Sequence, residues 1–259
     1  MNRHEEIDEA VRYIKQNIHN PISLEELANH VAYSPYHFSR LFKKQIGISP
    51  LYFVSSLRLQ KAKELLLKTN FTVRDIGLEI GQQSLGTFTT RFTERVGQSP
   101  AQFRNSIMEA DKQLASLQIF SKWNSVNTED HFNVVKGTIL AEVPFSGAIF
   151  IGLFQKSIPE GLPLFGTVLS SPGEYLFLNV KPGKYYLMST AISWETEATD
   201  ILLPYTTLRA RSIDPIIVQN GKPIPEQHLT LRRPRLEDPP ILISLPLLMK
   251  VFLGTINLK

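Results

Sequence analysis

Arg40, Lys43 and Lys44 fall close together, and Ser34, Tyr36, His37 and Ser39 stand just before them. At helical spacing they share the polar side of a segment whose other side is Phe38, Leu41, Phe42 and Ile46. A guanidinium can bond O6 and N7 of a guanine together, a contact worth about 1–3 kcal/mol of discrimination. Ammonium groups such as Lys43 and Lys44 suit phosphate oxygens, and Tyr36 offers a ring for a thymine methyl or a hydroxyl for a phosphate. A second set follows in Ser84, Leu85, Gly86, Thr87, Thr90, Arg91 and Arg95. It has hydroxyls and fewer charges, which suits base edges through Thr87 and Thr90, with Arg91 on a base or a phosphate. Gly86 either admits a close backbone approach or relaxes the start of a helix. Taken singly, each of these residues is equally a member of a solvated helix face; the pattern around them decides.

That pattern is an internal repeat. Residues 23–53 read SLEELANHVAYSPYHFSRLFKKQIGISPLYF and residues 72–103 read TVRDIGLEIGQQSLGTFTTRFTERVGQSPAQF. Ser23 aligns with Thr72, Leu27 with Ile76 and Val31 with Ile80 at an offset of 49; Phe38, Phe42, Gly47, Ser49 and Pro50 align with Phe88, Phe92, Gly97, Ser99 and Pro100 at an offset of 50. Each copy reads as helix, turn, helix. Ser23 with Glu26, and Thr72 with Asp75, have capping-box spacing. Ser34 caps the helix that Pro35 opens, Gly47 suits a left-handed C-terminal cap, and Ser49-Pro50 starts another helix. Leu51–Lys68 predicts one rigid connecting helix with Leu57, Ala62, Leu65 and Leu66 as its apolar stripe. Ile7, Val11, Ile14 and Ile18 predict an earlier amphipathic helix ending near Asn20-Pro21. A helix fits the major groove of B-DNA, and two such units on one connector can enter successive grooves without a dimer.

The stretches SLEELANHVAYSPYHFSRLFKKQIGISPLYF, LRLQKAKELL and SLGTFTTRFTERVGQSPAQFR resemble the AraC/XylS-type transcriptional regulators over roughly residues 4–106. The resemblance implies a double helix-turn-helix DNA-binding domain, with Tyr36, Ser39, Arg40, Leu85, Gly86, Thr87 and Thr90 at base-contacting positions. One departure is Gln82 after Gly81, where an aromatic is usual in the family. Most members also place this domain last, whereas here it comes first.

Beyond it the grammar changes. Residues 109–131 read as a linker, with Leu114, Leu117 and Phe120 as a helical stripe and a polar loop at Asn124–Asp130. Residues 132–259 show short apolar runs at Gly137–Ala141, Ala148–Phe154, Leu164–Leu169, Tyr175–Val180 and Tyr185–Ala191, then at Leu208–Ala210 and Ile216–Val218. Their spacing predicts an all-β, sandwich-like domain. Lys181-Pro-Gly-Lys184 predicts a turn, Asn220-Gly221 a hairpin, and Ile241–Leu258 a last strand, a docking segment or an oligomer interface. Gly173–Leu187 resembles the carboxypeptidase-regulatory-like and transthyretin-like β-sandwich domains, which implies a binding or structural role. The expected fold is thus multidomain: an all-α double helix-turn-helix domain at 1–108, then a β-sandwich-like effector or interaction domain at 132–259.

Composition agrees with that division. The chain has 259 residues, 28 Lys and Arg, 24 Asp and Glu, net charge +4 and no cysteine. Residues 1–108 hold 14 basic and 10 acidic residues, so the whole excess lies there, while 13 of the 17 prolines follow it. Absent cysteine excludes disulfides, thiolate zinc sites and thiol catalysis, and fits a reducing cytoplasm. No export signal opens the chain, and the longest apolar stretch is too short to span a bilayer. His4, His19, His30, His37, His131 and His228 lack metal-ligand spacing, and no phosphate loop, nucleophile elbow or dinucleotide fingerprint occurs. Arg232-Arg233-Pro234-Arg235 reads as a solvated basic loop, and Trp123, Trp194, Tyr175, Tyr185 and Tyr186 as core or as a pocket lining.

The residues therefore predict a cytoplasmic, nucleoid-associated transcriptional regulator that is not an enzyme and carries no cofactor or metal. Its partners are double-stranded DNA, RNA polymerase and an unidentified small-molecule effector, with no membrane. Two alternatives stay open: a constitutive DNA-binding protein whose β domain only makes protein or carbohydrate contacts, and an enzyme or carbohydrate-binding protein with a DNA-binding head.

Overall fold

The computed structural model describes residues 5–82, 84–119 and 132–256. The expectations for His4, Phe120, Trp123, the Asn124–Asp130 loop, His131 and Leu258 lie outside them. Two compact units are present. The first comprises residues up to Asn105 together with Ile158–Gly161 and Arg235–Ile243; the second comprises Ser106–Ser157, Leu162–Pro234 and the residues from Ser244 on.

In the first unit the helices are α1 (Glu5–Gln16), α2 (Leu24–His30), α3 (Pro35–Ile46), α4 (Pro50–Lys68), α5 (Val73–Glu79), α6 (Leu85–Val96) and α7 (Pro100–Arg104). Helix α1 buries Ile7, Val11 and Ile14. It ends four residues before the expected Asn20, so Ile18 lies in the turn that follows. Capping boxes at Ser23/Glu26 and Thr72/Asp75 start α2 and α5. In each case the hydroxyl and the carboxylate satisfy amides that the first helical turn leaves unpaired. Gly47 and Gly97 end α3 and α6 with φ of 91° and 88°, a region costly to residues with a Cβ. Helix α4 is the continuous connector. Its buried face is Phe53, Val54, Leu59, Ala62 and Leu66, with Ser56 and Lys63. The expected Leu57 and Leu65 are only half-buried, because the true stripe runs one residue out of step with them.

The second unit is β-rich, with β1 (Val135–Ala141), β2 (Gly147–Phe154), β3 (Phe165–Leu169), β4 (Gly173–Phe177), β5 (Gly183–Ser193), β6 (Arg209–Arg211), β7 (Ile216–Val218) and β8 (Gln227–Leu231). A three-stranded sheet has the order β4-β1-β8 and a second has β3-β2-β5-β6, with β7 also pairing to β5. Ile139, Ile151, Tyr175, Phe177, Leu187 and Leu231, drawn from both sheets, share one core.

Three helices accompany these strands: α8 (Ile107–Ile119), which carries the expected helical stripe of Leu114 and Leu117, and α9 (Ala198–Leu202) and α10 (Leu245–Ile256), which the sequence pattern does not place. Every residue of β2 is buried, and Met188 and Ile192 on β5 are buried on the opposite side from Leu187. A sheet apolar on both faces needs a layer on each. The described part of the expected linker is therefore α8, inside the second unit. The described part of the final apolar stretch forms α10 and no strand, with Pro246 in the first turn, where its missing N–H costs nothing. The Asn220-Gly221 turn forms, with Gly221 at φ 73°, yet makes no hairpin: β7 pairs with β5, and β8 runs parallel to β1. No helix among the described residues is long and apolar enough to cross a membrane.

Candidate nucleic-acid interface

Two helices present the predicted residues, and the same skeleton builds each. Ser34 accepts a hydrogen bond from the His37 amide at 3.4 Å, and Ser84 accepts one from the Thr87 amide at 3.4 Å. Both serines therefore serve first as helix caps. Phe38 and Phe42 anchor α3 with ring centroids 5.5 Å apart, and Phe42 meets Phe53 at 5.6 Å. Phe88, Phe92 and Phe103 repeat that chain in α6 and α7, with both spacings 5.8 Å. All six rings are fully buried, which fixes the rotation of each helix about its axis.

That rotation turns the predicted residues outward. On α3, Tyr36 is 80% exposed, and Arg40, Lys43 and Lys44 are exposed beside it, while Ser39 is half-buried. His37 is half-buried, its ring set edge-on to Tyr33 at 4.9 Å. On α6, Leu85, Gly86, Thr87, Thr90 and Arg91 are exposed. A side chain at Gly86 would meet only the Ser84 hydroxyl at 4.0 Å, so nothing inside the chain requires glycine there.

Arg95 is a correction. It points away from this face and is buried. Its Nε donates to Glu160 at 2.6 Å, its other nitrogens donate to Ser55 Oγ at 3.1 Å and Ser56 Oγ at 2.5 Å, and its guanidinium lies 4.3 Å from the Tyr52 ring centre. Helical position explains this: Arg95 follows Phe88 and Phe92 on the inward stripe. Its partner lies 65 residues away, beyond the reach of any local pattern.

Other arginines that sequence reasoning left unassigned hold the scaffold together. Arg58 donates to the Ile18 and Asn20 carbonyls at 3.1 and 2.6 Å, and Arg104 donates to the carbonyls of Leu66 and Phe71. Lys63 is buried on α4. It donates to the carbonyls of Ile241 and Leu242 at 3.2 and 3.3 Å and lies 5.3 Å from the Phe103 ring centre. Burial lowers its pKa to about 7, since desolvation disfavours the charged form. No group of three potential metal-binding side chains occurs among the described residues.

Residues 27–106 match a family model described as a helix-turn-helix domain. The uncharacterized HTH-type transcriptional regulator YfiF of Bacillus subtilis (strain 168) is 36% identical over 113 residues, 44% of this chain and 35% of its own length. Residues 27–106 form an AraC-type helix-turn-helix domain. The bifunctional transcriptional activator/DNA repair enzyme AdaA of the same organism is 37% identical over 98 residues, 38% of this chain and 46% of that protein. A crystal structure of a transcriptional regulator from Chromobacterium violaceum, described as containing an AraC-type DNA-binding domain, is 30% identical over 39% of this chain and 91% of its own, with a TM-score of 0.39. The chain thus spans 35% and 46% of the length of these two curated relatives. In this AraC-type domain the two exposed faces lie on the second helix of each unit, α3 and α6.

Proposed function

We propose that the chain is a sequence-specific DNA-binding transcriptional regulator that lays α3 and α6 into successive major grooves. The observation that carries this reading is the repeated scaffold with its two outward faces, Tyr36, Ser39 and Arg40 on α3 and Leu85, Gly86, Thr87 and Thr90 on α6. Arg40 reads guanine, and Lys43, Lys44 and Arg91 neutralise phosphates. Ser34, Ser84 and His37 border the two faces, and their hydroxyl or ring edges complete the contact. The open space around Gly86 supports close approach of a groove wall.

Length supports the two-groove geometry. Helix α4 has 19 residues, so at about 1.5 Å per residue it is about 28 Å long. Successive major grooves on one face of B-DNA recur about 34–36 Å apart. A connector of that length is shorter than the spacing but of the same order, and the unit at each end extends its reach without a second subunit. The reading places the protein in the cytoplasm, acting on RNA polymerase. It gives residues 132–259 the part of an effector or interaction domain; the compact core of the second unit supports this.

The test is selection of a preferred duplex from random DNA by the full chain, followed by hydroxyl-radical footprinting. Two protected patches about one helical turn apart are expected. A single patch overturns the two-groove geometry, and equal binding to all sequences overturns the specific reading.

A further inference from the structure

The last turn of α6 is held by residues from a distant part of the chain. Glu160 lies in Ile158–Gly161, a segment that follows β2 in the chain and packs within the first unit. The side chains of Arg95 and Glu160 are 9% and 7% exposed and form an ion pair at 2.6 Å. Glu160 also accepts a hydrogen bond from the Tyr52 hydroxyl on α4. The next residue adds a backbone contact: the Gly161 amide donates to the Arg95 carbonyl at 2.7 Å. This satisfies one of the carbonyls that a helix C-terminus leaves unpaired. Gly161 has φ 62°, and a Cβ there would stand 3.1 Å from the Glu94 carbonyl oxygen, so the close approach requires glycine.

The segment is itself anchored. The Pro159 carbonyl accepts from the amides of Leu242 and Ile243 at 3.0 and 3.2 Å, and Lys63 on α4 donates to the carbonyls of Ile241 and Leu242. A chain of hydrogen bonds therefore runs from α4 through 241–243 and 158–161 to the end of α6. The first repeat has no counterpart to this ion pair, because Gln45 occupies the position of Arg95.

We infer that Glu160 is a positioning residue for the second recognition helix, setting the angle of α6 against α4 and hence the placement of Thr87 and Thr90. The inference rests on α6 being a recognition helix, as proposed above. Buried ion pairs contribute little net stability compared with apolar residues of like size, so fold stability alone is a weak reason for this one. A planar guanidinium, by contrast, holds a carboxylate in a defined direction. Geometry makes direction matter. A helix of 12 residues is about 18 Å long. A tilt of about 10° at its C-terminus, at the edge of the tolerance of a precise site, moves its N-terminus by about 3 Å. That is enough to lift Thr87 from a base edge. Chain continuity then gives residues 158–161, outside the helix-turn-helix domain, a handle on the second half-site.

The test compares wild type with Glu160→Gln as full chains. Two readouts are made: amide hydrogen exchange of the free protein, and half-site footprints on the selected duplex. Faster exchange at 93–97 but not at 43–47 is expected. Protection of the second half-site should fall about tenfold or more while the first is kept. Glu160→Gln should also tolerate a one-base-pair change in half-site spacing better than wild type does. Equal weakening of both half-sites, or none, overturns the inference, since a general loss of stability lowers both alike. Tyr52→Phe, which removes one hydrogen bond to Glu160, gives the same readouts in milder form if Glu160→Gln folds poorly. If wild type itself selects no duplex, the reading of α6 as a recognition helix fails, and the exchange pattern alone then judges the clamp.

Discussion

The two helix-turn-helix units share a skeleton and differ in what they display. In both, a hydroxyl caps each helix, two phenylalanines fix the second helix, a left-handed glycine ends it, and Ser-Pro starts the next. Outside that frame they diverge. Helix α3 shows Arg40, Lys43 and Lys44 with no acid, whereas α6 shows Thr87, Thr90 and Arg91, with Glu94 exposed nearby. Phosphate neutralisation supplies much of DNA affinity, while base contacts supply discrimination. On the proposed function the pair divides the work: the first unit brings charge, and the second brings hydroxyls held at the angle that the inferred clamp sets. A duplicated scaffold can keep its core and specialise its faces separately.

The comparison breaks first in the core. Phe42→Ala and Phe92→Ala should each cost about 3–5 kcal/mol, measured by denaturant unfolding of the full chain. A much smaller loss for one would mean that the two aromatic chains are not equivalent. Next comes the reading face. Arg40→Ala should lower affinity for the selected duplex by about 1–3 kcal/mol, or roughly 5–150-fold, with the fold intact by circular dichroism; binding as tight as wild type would remove α3 from base readout. The charge asymmetry is sharpened by Lys43→Ala beside Thr93→Ala at the matching position. The first should flatten the salt dependence of binding by about one, and the second should leave it unchanged.

The smallest effects come from exchanging residues between the copies. The turn of the first unit places Ala32 at φ 56°, where the second has Gly81 at 75°. Ala32→Gly should stabilise by roughly 1 kcal/mol, the order of the left-handed penalty. Conversely, Gly77 sits within α5 where α2 has Ala28, and a Cβ there would lie 3.4 Å from the Phe88 ring. Gly77→Ala should gain about 0.5–1 kcal/mol in melting experiments. A loss in either would show that the units pack differently despite their alignment.

How much of this was legible in the sequence depended on the range of the interaction. Caps, the phenylalanine stripe and the terminal glycines act within one helical turn, so periodicity reveals both units and the outward side of Arg40, Thr87 and Thr90. Lys63 and Arg95 were opaque, because their partners lie 178 and 65 residues away in segments with a different pattern. Long-range partners also decide the β-rich unit. The run from Ile241 matches a strand as well as a helix until a sheet with two apolar faces demands a helical layer. Asn220-Gly221 signals a turn but cannot say which strands will pair.

The clamp on α4 and α6 also orders events in time. During synthesis the two helix-turn-helix units are complete before the segments that fasten them exist. At about 5–20 residues per second, the 178 positions between Lys63 and Ile241 take roughly ten to forty seconds to translate. Between Phe103 and Glu160 the nascent chain has both helix-turn-helix units while Arg95 still awaits its partner, and Lys63 waits until residue 241. Each molecule thus passes through an adolescence in which its two grips are formed but not yet locked to a common gauge.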